Sequence, residues 1–156
     1  VRECPWMDGE RLGVTGGSFG GYMVNWICGH TKRFKAAVTQ RSIANELIQY
    51  ASSDMAGSSK DYADFSDFMM EQLKKSPVSY AEKIDIPFLI LHGMNDMRCP
   101  VEHAHQLFSA VRETHPDLPV KMILFPGMTH SFPMGGPIDL RIAHYDAMIG
   151  WFKKYL

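Results

Sequence analysis

The sequence predicts an α/β fold with a mostly parallel sheet of about four strands flanked by helices. Three observations predict it. Short apolar runs alternate with longer stretches in which apolar residues recur every three or four positions. One run, Pro87 to Leu91 (PFLIL), is apolar throughout, as suits a parallel strand buried on both faces. No internal repeat or long linker divides the 156 residues, so a single domain over 1–156 is expected.

The first strand is expected at Arg11 to Thr15, after the turn-forming Asp8-Gly9. Behind a glycine cluster, Phe19, Tyr22, Met23, Trp26, Ile27 and His30 fall at helical spacing and predict a helix of about three turns. Phe34 to Gln40 is the second strand. Ile43 to Lys75 reads as helical in pieces, broken at Gly57-Ser58-Ser59 and ended by Ser76-Pro77. PFLIL is the third strand. Pro100 suits the first turn of a helix whose stripe runs Val101, Ala104, Phe108, Val111. Val120 to Phe125 is the fourth strand, closed by Pro126-Gly127. A last helix carries Ile142, Tyr145, Ile149 and Phe152 on one face.

Composition narrows the function. Hydrophobic residues make up 46% and charged residues 21%, with a formal net charge of −1, an ordinary globular profile. No basic stripe interleaved with aromatics appears, so no nucleic-acid partner is expected. No apolar run approaches bilayer length, so no membrane partner is expected either. The three cysteines, Cys4, Cys28 and Cys99, lack CxxC spacing and read as reduced thiols. With no signal-peptide pattern, a cytoplasmic location is expected.

Thr15 to Tyr22 reads TGGSFGGY. A linker does not fit, because a strand and an amphipathic helix flank it directly. A P-loop needs a lysine that does not follow, and the dinucleotide fingerprint needs a glycine register broken by Ser18 and Phe19. Gly16-Gly17-Ser18-Phe19-Gly20 matches GxSxG. On a sharp strand-to-helix turn, this pattern lifts a serine hydroxyl above the strand end. The next backbone amide, that of Phe19, is then aimed at an anion forming beside Ser18.

A serine nucleophile needs a base, and the base needs an orienting acid. Asp96 lies on the loop leaving PFLIL, and His130 on the loop leaving Val120–Phe125. Both loops leave C-terminal strand ends, where open α/β sheets build sites. The plain readings are a turn serine, a turn aspartate and a loop histidine. Asp85 lies at the wrong strand end, and His92 reads as a structural residue. His30, His103, His105, His115 and His144 fall on helices or their ends. His103 and His105 are two apart and do not share a helix face, so no metal is expected, and no cofactor.

RLGVTGGSFGGYMVNW, FKAAVTQRSI, SPVSYAEKIDIPFLILHGMNDMRCPVEHAHQLF and LFPGMTHSF together closely resemble the catalytic domain of the prolyl oligopeptidase (S9) family of serine peptidases, nearest the bacterial acylaminoacyl-peptidase-like enzymes. The resemblance implies a partial α/β-hydrolase fold. It implies Ser18 as nucleophile, Asp96 as orienting acid, His130 as general base and Phe19 as one oxyanion-hole donor. It places Tyr22 and the region Gln40-Arg41-Ser42, Arg41 included, near a short peptide substrate. Cys99 stands where the family usually has valine, and Thr129 where asparagine, glutamate or serine is commoner.

The resemblance starts at the nucleophile strand, so the chain corresponds to the C-terminal half of such a domain. Counterparts of the earlier strands, of the loop giving a second oxyanion donor and of a β-propeller are not found in the sequence. The nucleophile strand is then expected at a sheet edge. That edge would pair with another copy as a homo-oligomer, or with another chain, or leave the fold marginally stable. An esterase, or a catalytically incomplete fragment, remains an alternative to a peptidase.

Overall fold

The computed structural model describes residues 4–55 and 65–156. Its sheet contains β1 (Gly13–Ser18), β2 (Ala36–Ser42), β3 (Phe88–Gly93) and β4 (Val120–Phe125), all parallel, in the order β1-β2-β3-β4. The helices are α1 (Phe19–Cys28), α2 (Glu46–Ser52), α3 (Phe65–Lys75), α4 (Glu102–Thr114) and α5 (Ile138–Tyr155). A 3-10 segment, Pro77–Lys83, follows α3 and was not foreseen. The break expected at Gly57-Ser58-Ser59 lies outside the described residues. No helix among the described residues is long and apolar enough to cross a membrane.

Alternation along the strands divides the core into two layers. Ala37, Phe88 and Ile90 face α1, α4 and the 3-10 segment, packing with Val24, Cys28, Ile84, Ala104, Leu107 and Val111. Val38, Leu89 and Leu91 face the other way, onto Phe125, Phe132 and α5 residues Leu140, Ala147, Met148 and Trp151. Every residue of β3 is buried, as its continuous apolar run requires. Each of its large side chains contributes on the order of 1.5–3 kcal/mol by leaving water.

β4 falls where expected, whereas β1 runs three residues, and β2 and β3 two residues each, beyond the apolar run that announced them. Parallel pairing continues past that run: Gly17 still aligns with Gln40, and the register slips only between Gly17 and Ser18. Two helix faces also differ from the spacing-based reading. α1 buries Gly21, Val24, Asn25 and Cys28. Small residues let this helix sit close on β2, since a Cβ on Gly21 would stand 2.5 Å from Ser42 Cβ. The aromatic stripe runs along the flank instead, where Trp26 stacks on His30 at 4.2 Å and meets Tyr80 edge-on at 5.2 Å. On α5, Ile142, Tyr145 and Ile149 are exposed, and His144 takes the buried place.

Candidate active site

The end of β1 becomes the start of α1 within one residue. Ser18 makes that turn at φ 61° and ψ −127°, a left-handed backbone that costs a non-glycine residue on the order of 1–3 kcal/mol. Gly16 makes the turn feasible, because a Cβ there would lie 2.4 Å from Gly20 O. Phe19 opens α1, so its N–H belongs to the first turn, where helix amides lack an intrahelical acceptor.

Two loops bring partners to Ser18. His130 Nε2 lies 2.9 Å from Ser18 Oγ, and His130 Nδ1 lies 2.8 Å from Asp96 Oδ2. The structure thus brings the three residues singled out in the sequence into one hydrogen-bonded line. Asp96 is buried, and its two oxygens divide their work. Oδ1 accepts from the backbone N–H groups of Arg98 (3.0 Å) and Cys99 (2.9 Å), which leaves Oδ2 for His130.

Backbone contacts tie the two loops together. Met94 N–H donates to Phe125 O at 3.0 Å and Asn95 N–H to Met128 O at 2.9 Å. Gly93 permits the approach, since a Cβ there would meet Met128 O at 2.4 Å. His92, at the end of β3, braces the loop that carries the acid. Its Nε2 lies 2.8 Å from Cys99 O and 3.6 Å from Asp96 Oδ2. Burial holds this imidazole below its usual pKa, so it is neutral and donates Nε2–H to that carbonyl. Its place in the motif from His92 to Asp96 marked it, although its support of the acid was not foreseen. Burial pushes the neighbouring Cys99 thiol up to about 12, so it is not a competing nucleophile.

The remaining site candidates separate. Arg41 lies beside this line of side chains, with Nη1 3.3 Å from His130 Nε2. Tyr22 stacks on the exposed Phe19 ring at 5.4 Å, but its hydroxyl donates to Lys75 O at 2.8 Å, at the junction with α3. An open cleft of about 340 Å³ flanks His130, lined by Asp54, Asn95, Met97, Arg98, Thr129 and Ser131. Within it, Arg98 Nε lies 2.6 Å from Asp54 Oδ1. This pair joins β3's loop to the end of α2, and no spacing in the sequence announces it.

Such a line of acid, imidazole and hydroxyl beside a helix N-terminus can deprotonate a serine and hold the oxyanion it makes. Residues 1–156 match the model of the prolyl oligopeptidase family. The uncharacterized peptidase YuxL of Bacillus subtilis is 41% identical over 159 residues, covering 100% of this chain and 24% of that protein. Dipeptidyl-peptidase 5 of Porphyromonas gingivalis is 31% identical over 167 residues, covering 100% of this chain and 23% of its own length. Among solved structures, the uncomplexed acylaminoacyl peptidase of Pyrococcus horikoshii superposes with a TM-score of 0.90 at 29% identity, over 99% of this chain and 26% of that one. The four-stranded sheet is thus part of an α/β-hydrolase fold. The chain spans about a quarter of the length of the relatives it matches.

Proposed function

The chain belongs to the prolyl oligopeptidase family, and on that premise we propose that it carries the catalytic residues of a serine peptidase acting on oligopeptides or N-acylated peptides. Ser18 Oγ attacks the scissile carbonyl while His130 Nε2 takes its proton. Asp96 keeps the imidazole proton on Nδ1 and steadies the imidazolium that forms. The Phe19 N–H donates to the oxyanion. The tetrahedral intermediate collapses, the amine leaves with the proton held on Nε2, and an acyl-enzyme remains. Water, deprotonated by the same nitrogen, then releases the acid and restores Ser18.

The observation that carries this reading is the unbroken line Ser18–His130–Asp96, with contacts of 2.9 and 2.8 Å. The names of the relatives favour peptides over other acyl compounds. The same machinery also serves an esterase, and turnover of acyl esters but not peptide amides would select that reading. The decisive experiment is fluorophosphonate labelling of the folded protein beside Ser18→Ala, with peptide and ester turnover measured in parallel. Labelling confined to the wild type supports the assignment. Labelling that persists in Ser18→Ala refutes it, and a folded wild type that is never labelled supports the incomplete-fragment alternative.

The β1 edge belongs to the same proposal. Among the described residues β1 pairs only with β2, which leaves one row of backbone groups open beside the nucleophile. This edge pairs with another copy or another chain, or leaves the fold marginally stable. A compact monomer in dilute solution, stable with the edge open, would refute this.

A further inference from the structure

Arg41 is a charged group in contact with His130 that the proposed chemistry leaves unused. Its φ is 37°, in the left-handed region where an L side chain is strained. The guanidinium lies over Gly17, where a Cβ would stand 3.1 Å from Nη2 and 3.2 Å from Cζ and Nε. GxSxG leaves that position free, and here a glycine makes room for the cation. Nη1 reaches His130 Nε2, the nitrogen that also faces Ser18 Oγ. Nε is buried without a hydrogen-bond partner. Among the described residues no carboxylate pairs with Arg41, whereas Arg11 and Arg98 each hold an aspartate.

This arrangement is compatible with a neutral imidazole, whose single Nε2 lone pair Ser18 and Arg41 then share, and it obstructs the reaction. Arginine only donates, so its contact requires Nε2 to be an acceptor, as a general base is. Once Nε2 takes the serine proton, the same contact becomes donor against donor, cation against cation. The guanidinium also stands beside the nitrogen from which the departing amine must collect its proton. Catalysis therefore requires another acceptor to draw it away. A carboxylate on the departing residue does this. Its two oxygens match the guanidinium fork, and in a free C-terminal amino acid a single carbon separates it from the amine nitrogen.

The geometry points to Arg41 as a carboxylate-binding subsite on the leaving-group side, favouring cleavage of a C-terminal peptide bond with release of a free amino acid. The inference rests on the serine-peptidase reading above. It is tested on the full-length protein with one N-acetylated tripeptide, supplied as the free acid and as the C-terminal amide, with the released residue measured by mass spectrometry. The wild type is expected to favour the acid by about tenfold to a hundredfold in kcat/KM, the worth of a charge-assisted contact. The acid-to-amide ratio falls to about one in Arg41→Gln and is intermediate in Arg41→Lys, whatever the absolute rates. Fluorophosphonate labelling of each variant shows that the site is folded.

Equal wild-type rates on acid and amide overturn this inference and leave the peptidase reading standing. If neither peptide is cleaved while Ser18 still labels, the peptidase reading fails, and protection from labelling decides the subsite. Stronger protection by the acid, lost in Arg41→Gln, supports it. Equal protection by acid and amide overturns it.

Discussion

Gly16→Ala is the substitution that most directly tests how Ser18, the proposed nucleophile, is held. A Cβ on Gly16 would stand 2.4 Å from Gly20 O and 2.6 Å from Gly20 C, where side-chain contacts begin near 3.0 Å. Both are backbone atoms and cannot rotate away, so the first turn of α1 must retreat by about 0.6 Å or more. Only Phe19 separates Gly20 from Ser18, so the elbow moves with it. The 2.9 Å contact between Ser18 Oγ and His130 Nε2 then stretches to the outer limit of a hydrogen bond. With a misplacement of about 1 Å costing about 10²-fold, the acylation rate should fall by about tenfold to a hundredfold. Overpacking should cost about 1–3 kcal/mol, lowering the thermal midpoint by roughly 2–4 °C per kcal/mol. The assay is the rate of fluorophosphonate labelling, with a thermal melt on the same sample. Gly20→Ala is the control from the same motif, because a Cβ there meets nothing within 4 Å. It should label within about threefold of wild type and melt no lower, since alanine suits a helix better than glycine. Wild-type labelling and melting in Gly16→Ala, or an equal loss in Gly20→Ala, would refute this account of the elbow.

Two further outcomes follow from buried groups. Asp96→Asn should lower kcat by about 10⁴, because an amide in place of Oδ2 can present a donor to His130 and select the wrong tautomer; near-wild-type turnover would remove Asp96 from the mechanism. The thermal midpoint should fall as pH drops from about 6.5 toward 4. Burial lowers His103 and His144 from 6.5 to about 4, so across that window the unfolded chain binds protons that the folded chain refuses. Stability is therefore complete above the upper value and is lost toward the lower one. His103 Nδ1 accepts the N–H groups of Ala44 and Asn45, and protonation there would break both contacts. A midpoint that stays level from pH 7 to 4.5 would contradict these assignments.

Much of this could be read from the chain because its strongest signals are local. PFLIL is buried on both faces and needs no partner to be recognised as a strand. GxSxG names its serine by sterics that operate within five residues, and chain order supplied the other two members of the line. What could not be read depends on distant packing. Spacing alone cannot say which side of α1 faces the sheet: Gly21 and Cys28 win the inside because they are small, and the aromatics are left to stack with Tyr80. On α5, Leu140, His144, Ala147 and Met148 repeat as regularly as Ile142, Tyr145 and Ile149, and only the sheet's position decides between them. Arg41 was placed near the substrate by resemblance, but its contact with His130 depends on a left-handed backbone and on the absence of a Cβ at Gly17.

Among the described residues, Ser18 terminates a strand that is hydrogen-bonded along one side only. Within the sheet the strained turn is therefore anchored through β2, and its stiffness depends on what lies against the other side of β1. A strand pairing there, as proposed above, would stiffen Gly13–Ser18 and help keep the hydroxyl in line with His130. On that proposal, the rate at which Ser18 is acylated would serve as a strain gauge for the whole sheet, reporting assembly at the edge through the chemistry at its end.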